Sequence, residues 1–252
     1  IASNTGQQLV VAVMLLGGAV LAPYFWGSAM RFRFNATRWR GVRLQFAASW
    51  GEVYKASWPA FVFAAIWFGA LTLIESTVQH GNAKASWAPA LAIGLAAAVL
   101  SILCAVRLEY NYKSLMVARG RIGGQPGRWK PRFGDFMRIW LATLGVFLGG
   151  VLVVVGLLAA LLGGSVAMLQ GTKDGGVMAV LVTVALAVAV FFLLFLASAA
   201  ARAYREARMF QLVWNNIGVS QVARFKCGLR PWPYVWLRVK NVVLALLTLG
   251  FY

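Results

Sequence analysis

The chain has 252 residues, of which 61% are hydrophobic and only 12% are charged, whereas soluble domains carry about 25% charged residues. Its 24 basic residues outnumber its 6 acidic residues, which gives a net charge of +18. This composition excludes an ordinary soluble domain and is typical of a membrane protein.

Long uncharged segments recur along the chain. Five of them approach or exceed the ~20 apolar residues that cross a hydrocarbon core as a helix, and they cover residues 1–30, 56–74, 85–106, 139–172 and 175–201. A sixth begins at residue 241 and is still apolar at residue 252. We therefore expect an all-α transmembrane bundle of about six spans. We expect these spans to form a single integral membrane domain over residues 1–252 that is truncated at both ends.

The basic residues are confined almost entirely to alternate connections. The connections after spans one, three and five hold 22 of the 24, and the other two hold only Lys84 and Lys173. Loops rich in Arg and Lys stay on the cytoplasmic side during insertion. We therefore expect the three basic connections in the cytoplasm and residue 1 on the outer face of the membrane.

The first basic connection contains RFRFNATRWRGVRLQF, residues 31–46. On both sides of its NAT turn, apolar residues alternate with polar ones, which is the period of two expected of strands. The pairs Gly123-Gly124 and Asn215-Asn216 supply turn residues in the other two connections. Each connection is therefore predicted to form a short cytoplasmic β-hairpin that buries aromatic residues on one face and presents arginines on the other.

The three connections also resemble one another in the order of their residues. With Gly41, Gly123 and Gly218 taken as equivalent, the spacings are 82 and 95 residues. This periodicity predicts internal repeats of hairpin, helix, loop and helix, with units of approximately 31–113, 114–207 and 208–252.

The arginines of the hairpins allow two interpretations. In the first, they orient the protein among acidic headgroups, and each residue contributes about 1 kcal/mol of attraction to that surface. In the second, they build a specific site for an anionic lipid or phosphate where successive hairpins meet, because guanidinium forks bind phosphate bidentately. No nucleic-acid recognition motif is present, so no nucleic-acid partner is expected. The candidate contacts for acidic phospholipid are Arg31, Arg33, Arg38, Arg40, Arg43, Arg121, Arg128 and Arg224.

No catalytic, metal or cofactor constellation is predicted. The chain has a single histidine, His80, and its acids lie at span ends or in loops without a short-spaced pair, so neither a metal ligand set nor general acid–base work is indicated. Proton-coupled transporters usually carry an ionisable residue in mid-membrane. Glu75, at the outer end of span two, is either a candidate pocket residue or a plain interfacial carboxylate.

A family resemblance rests on the first hairpin. The pattern Asn-x-Thr-x-Trp-Arg-Gly followed by an aromatic begins at Asn35 and ends at Phe46. It resembles the YjgN family of bacterial inner-membrane proteins, as do the Trp-Asn of the third segment and the ending TLGFY. The second segment departs from the pattern, with Arg119-Gly120-Arg121 where Asn-x-Thr is expected. The resemblance implies a multi-pass architecture, an unknown activity, and an M48-type metallopeptidase as partner.

These observations lead to two functional hypotheses. The first is a non-enzymatic scaffold or accessory subunit that binds lipid or a membrane protein partner. The second is a transporter or lipid-handling permease with a cavity between repeats.

Overall fold

The computed structural model describes residues 2–39, 41–80, 87–169, 175–219 and 223–248. Within these ranges, the helices are α1 (Ala2–Ala36), α2 (Trp50–Ala56), α3 (Trp58–His80), α4 (Trp87–Ala118), α5 (Phe133–Leu169), α6 (Gly175–Asn216) and α7 (Pro231–Leu247). The strands are β1 (Arg38–Trp39), β2 (Val42–Phe46), β3 (Gly120–Ile122), β4 (Gln125–Trp129), β5 (Ile217–Val219) and β6 (Ala223–Arg224).

Five of the described helices are long and apolar enough to cross a membrane. These spans are Val13–Ala36, Trp58–Thr77, Trp87–Ala118, Phe133–Ala160 and Leu181–Asn216. The expected membrane protein is therefore confirmed. The helix expected at residue 241 begins ten residues earlier as α7, and the end of that segment lies outside the described residues.

Three helices, α1, α4 and α6, continue past the uncharged segments in which they begin. The helix α4 continues for twelve residues beyond 106 and α6 for fifteen beyond 201, which adds about 18 and 22 Å of helix. Extending an existing helix is much easier than starting one, and the Arg, Leu, Glu, Lys and Met residues of these extensions are good helix formers.

The same extension corrects one prediction. Residues 31–34, predicted as a strand, belong to the last turns of α1. The residues Trp26, Met30 and Phe34, each four positions apart, pack against the buried cluster that contains Phe46. Four alternating residues were too short a signal to separate a strand from this i, i+4 stripe of a helix.

The first hairpin turns at Gly41 and not at the predicted NAT sequence, because α1 continues to Ala36. With this change all three hairpins are present, and they join into one six-stranded antiparallel sheet in the order β1 to β6. The turns of the first two contain Gly41 (φ 82°), Gly123 (φ 57°) and Gly124 (φ 83°), a left-handed conformation that favours glycine. Gly218 is not their equivalent, because it lies within β5. The Asn215-Asn216 pair closes α6 instead of forming a hairpin turn.

The chain divides into two compact units. The first covers residues 1–133 and 216–225 and holds α1 to α4 and the whole sheet. The second covers residues 134–215 and 226–252. In this second unit, Ala203, Tyr204 and Val235 are buried together, and the guanidinium of Arg205 lies 4.7 Å from the ring centroid of Trp140.

Candidate functional site

The strand register divides the sheet into two chemically different faces. Residues directly opposite each other in an antiparallel pair point to the same face, as do residues two apart in a strand. Arg38 lies opposite Arg43, and Gln45 lies opposite Arg121. Across β4 to β6, Arg128 lies opposite Gly218, which in turn lies opposite Arg224. The register therefore places five arginines on one face, Arg38, Arg43, Arg121, Arg128 and Arg224, and we call it the basic face.

The other face packs against the helices of the first unit. Phe46, only 7% exposed, contacts Trp26 and Phe34 with ring centroids 5.9 and 5.6 Å apart. Further along the sheet, the ring of Trp129 lies 6.0 Å from that of Tyr110 in α4. Aromatic edge-to-face contacts of this kind stabilise a core beyond the burial of their area. The sheet is thus fixed to α1 and α4 by its apolar face and leaves its arginines outside.

All five arginines of the basic face are exposed. None of their guanidinium groups forms an ion pair with an acidic side chain of the described residues. Like charges on one surface repel and therefore favour an anionic partner. The face can bind phosphates or other anions with bidentate geometry.

The remaining predicted contacts lie elsewhere. Arg31 is half-buried in α1, where it donates to the carbonyl oxygen of Ala48 at 2.9 Å and stacks over Trp50 at 3.9 Å. Arg33 is an exposed residue of the last turn of α1. Arg40 lies outside the described residues. The prediction that Arg31 and Arg33 lie in the first hairpin is therefore wrong, because α1 continues through them.

Glu75 lies in α3, whereas Arg31 and Arg33 lie in α1. It is partly buried in the penultimate turns of α3, seventeen residues from Trp58, at which α3 begins, or about 26 Å along the helix. The candidate pocket role of Glu75 stays a prediction.

The sheet begins close to the level at which the apolar segments end. Tyr110, the partner of Trp129, lies four residues past the last uncharged residue of span three, about 6 Å along α4. Trp26, the partner of Phe46, still belongs to the first uncharged run. Tryptophan and tyrosine are enriched in the headgroup layer. The aromatic contacts that fix the sheet to the helices therefore lie next to the ends of the apolar segments.

A short helix that sequence reasoning missed connects the first hairpin to α3. The segment Ser49-Trp50-Gly51-Glu52 forms a capping box: the amide of Glu52 donates to Ser49 Oγ at 3.3 Å, and the amide of Ser49 donates to Glu52 Oε2 at 3.0 Å. Ser-x-x-Glu is a sequence signal for such a helix start. Glu52 also pairs with Arg119 at the end of α4. The hydrogen bond from the Ser49 amide is the largest cause that holds the pKa of Glu52 below its ordinary value of 4.5. The hydrogen bond and positive charge of Arg119 lower this pKa further.

The described residues contain no group of three or more His, Cys, Asp and Glu side chains that could hold a metal ion. Their two cysteines, Cys104 and Cys227, are free thiols.

Comparison with known proteins agrees with the resemblance carried by the first hairpin. No curated protein and no solved structure matches the chain significantly. A family model described as a bacterial protein of unknown function, DUF898, matches residues 1–252 and is YjgN-like. Because that match covers the whole sequence, the chain is a member of the DUF898 family of bacterial proteins of unknown function.

Proposed function

We propose that this protein is a non-enzymatic scaffold or accessory subunit of the bacterial inner membrane that binds acidic phospholipid with the basic face of its sheet. The face lies on the cytoplasmic side, and the bound lipid fixes the sheet against the membrane so that a membrane protein partner can dock. The family resemblance favours an M48-type metallopeptidase as that partner.

One observation carries the proposal. Three connections separated by up to about a hundred residues contribute strands to one sheet, and their register collects five exposed arginines on the same face. Charges that served only to orient the helices would have no need of a common face, since the inside signal depends on the number of basic residues in a loop.

The depth of the face supports lipid as the ligand. The contacts of Trp26 and Trp129 lie near the ends of the apolar segments, where phosphates are the most abundant anions. Each Arg near an acidic surface contributes about 1 kcal/mol. Five arginines held by one sheet act together, because the ordering of the strands has already removed most of the backbone freedom.

Charge placement supports the orientation. Of the 24 basic residues, 22 lie in the three connections that contain the hairpins. Basic residues in short loops stay in the cytoplasm. The sheet side of the protein is therefore the cytoplasmic side in this proposal.

Native mass spectrometry of the purified chain, with lipids added in equal amounts, tests the proposal. The variant R43Q/R121Q/R128Q removes three charges from the basic face. The matched control R138Q/R202Q/K240Q removes three exposed charges outside the sheet. At about 1 kcal/mol per arginine, the face variant is expected to retain on the order of a hundredfold less phosphatidylglycerol than the wild type. The control is expected to retain nearly the wild-type amount.

Equal losses in the two variants would reject the face and leave only a general effect of charge. A lipid retained in both variants at fixed stoichiometry would favour the permease hypothesis instead. A metallopeptidase that co-purifies at fixed ratio with the wild type would support the role of accessory subunit.

A further inference from the structure

An open cleft of about 480 Å³ lies between α2, the start of α3 and the end of α4. Its charged lining residues are Glu52, Lys55 and Arg119, and its neutral lining includes Trp58 and Asn111. None of these residues belongs to the basic face of the sheet, so the cleft is a separate site.

The walls of the cleft are held together by polar contacts between α2 and α4. The side-chain amide of Asn111 donates to the carbonyl oxygen of Ala56 at 2.9 Å. The hydroxyl groups of Ser57 and Tyr112 are 2.8 Å apart. Arg119 forms an ion pair with Glu52. Three contacts along one short helix give a preformed cleft, which lowers the ordering cost of binding.

The helix α2 is also fixed on its other side, against α1. The rings of Trp50 and Tyr24 are stacked with centroids 5.2 Å apart, and the hydroxyl of Tyr54 donates to the carbonyl oxygen of Val20 at 3.1 Å. A Cβ on Gly27 would lie 2.9 Å from the ring of Trp50, so α1 and α2 are packed closely. The cleft therefore keeps its shape as a result of packing on both sides of α2.

The charges in the cleft are of both signs. The carboxylate of Glu52 lies beside the guanidinium of Arg119, and the ammonium group of Lys55 has no ion pair within the described chain. A purely anionic ligand would gain from the two cations but would meet the carboxylate. A zwitterionic ligand, with an anion and a cation a few ångströms apart, complements all three groups.

The position of the cleft next to the membrane-spanning part of α3 favours a lipid headgroup as the zwitterion. Trp58, which is 48% exposed, opens the membrane-spanning part of α3, and Val62, one turn deeper, is 38% exposed. A headgroup in the cleft would therefore place its acyl chains along the apolar surface that continues from Trp58 into the membrane.

We infer that this cleft binds a single aminophospholipid whose phosphodiester contacts Lys55 and Arg119 and whose primary ammonium group donates to Glu52. Phosphoethanolamine is the headgroup that carries both groups and no further charge, whereas phosphoserine adds a carboxylate that Glu52 would repel. The inference depends on the membrane placement of the chain and not on lipid binding by the sheet.

The test uses native mass spectrometry of the purified chain with phosphatidylethanolamine, phosphatidylglycerol and phosphatidylcholine of identical acyl chains. The wild type is expected to retain phosphatidylethanolamine about fivefold more than phosphatidylcholine, because a quaternary ammonium group has no N–H to donate to Glu52. This comparison needs no mutation and is therefore independent of folding.

Two variants assign the roles of the charges. K55Q is expected to lower retention of phosphatidylethanolamine about fivefold. E52Q is expected to remove most of the preference for phosphatidylethanolamine over phosphatidylcholine, since the carboxylate that attracts the ammonium group is lost. Glutamine is also found at the N3 position of capping boxes, which Glu52 occupies here, so α2 should persist in E52Q. K113Q on α4 is the control, because Lys113 does not line the cleft.

Equal retention of the ethanolamine and choline lipids by the wild type would overturn the inference, as would an unchanged preference in E52Q. Variants of the basic face separate the two sites. R43Q/R121Q/R128Q should leave the ethanolamine preference intact even if it retains less phosphatidylglycerol, whereas K55Q should leave the binding of phosphatidylglycerol by the sheet intact.

Discussion

Arg128 in β4 lies directly opposite Gly218 in β5, and this pairing joins two hairpins that are 90 residues apart in sequence. An isolated two-stranded hairpin is marginally stable at best in water. Since β5 and β6 are only three and two residues long, the third hairpin depends on its pairing with β4. The small residue at 218 leaves the arginine side chains on either side of it uncovered.

The pairing can be tested by a disulfide between R128C and G218C in a chain whose two native cysteines are replaced by alanine. Opposite residues of an antiparallel pair have Cα atoms about 4.5–5.5 Å apart, which lies within the range that a disulfide bridges. We expect the pair to oxidise readily in membranes, as detected by a mobility shift that a reducing agent reverses. Q45C/R121C tests the β2–β3 pairing in the same way.

The control is R128C/V219C, which shifts one cysteine by a single residue to the opposite face of β5. Its side chains point to opposite faces and should remain reduced under the same conditions. Similar oxidation of both pairs would contradict the register and with it the common face of the arginines.

Gly127 allows β4 to approach α4 closely. A Cβ at this position would overlap the carbonyl oxygen of Val117 and lie 3.1 Å from its carbonyl carbon. Backbone atoms of a helix cannot move aside as a flexible side chain can, so Gly127→Ala is expected to destabilise the first unit by at least the 1–3 kcal/mol typical of overpacking. The measurement is the apparent Tm in detergent, which should fall by several degrees.

Gly69→Ala provides the matched substitution in the same unit. The position is inside α3, with no neighbouring atom within 4 Å of an added Cβ, and alanine favours a helix more than glycine does. Its Tm should stay the same or rise. A fall of equal size in both variants would show that the close approach at Gly127 is unimportant.

The hairpins could be predicted because their strands have a local signal. Val42, Leu44 and Phe46 alternate with polar residues, and the strand β2 forms there with Phe46 buried. The turn at Gly123-Gly124 likewise follows from its sequence, whereas the first turn was expected at NAT and forms at Gly41. Uncharged runs of about twenty residues located the membrane helices for a similar reason, since their length is set by the bilayer.

What could not be predicted depends on contacts between distant segments. The join between hairpins pairs Leu44 with Ile122 and Trp129 with Ile217, and no local pattern determines which strand edges meet. The helical state of Arg31 depends on Phe34 reaching Phe46, a tertiary contact that outweighs a short alternation. The cleft likewise depends on three contacts between α2 and α4 across more than fifty residues.

The ion pair and capping box of Glu52 predict an acid dependence. Because the pKa of Glu52 in the fold is below its ordinary value of 4.5, its stabilising contribution is complete above pH 4.5 and is lost as the pH falls through the lower folded value. The Tm of the wild type should therefore fall between pH 5 and about pH 3 more than that of E52Q, which has no carboxylate at this position. Thermal unfolding in detergent over this range measures the difference.

Ser49→Ala separates the two halves of the capping box. It removes the hydroxyl that accepts from the Glu52 amide, a loss of about 1 kcal/mol at every pH, but retains the Ser49 amide that donates to the carboxylate. S49A should therefore start from a lower Tm and keep most of the acid dependence of the wild type, because the Ser49 amide is the largest cause of the lowered pKa of Glu52 and the Ser49 side chain the smallest. An acid dependence that is the same in E52Q and the wild type would show that Glu52 is not its source.

The side of the membrane on which the sheet lies is accessible to cysteine labelling in a chain without its two native cysteines. Arg128 belongs to the basic face, whereas Lys84 and Lys173 belong to the two connections that hold only one basic residue each. If basic connections stay in the cytoplasm, an impermeant maleimide added to spheroplasts should label K84C and K173C but not R128C. Permeabilised cells should then label R128C as well, since its position is exposed. Labelling of R128C in intact spheroplasts would instead place the arginines outside, away from cytoplasmic acidic lipid, and the proposed role of the basic face would fail with that result.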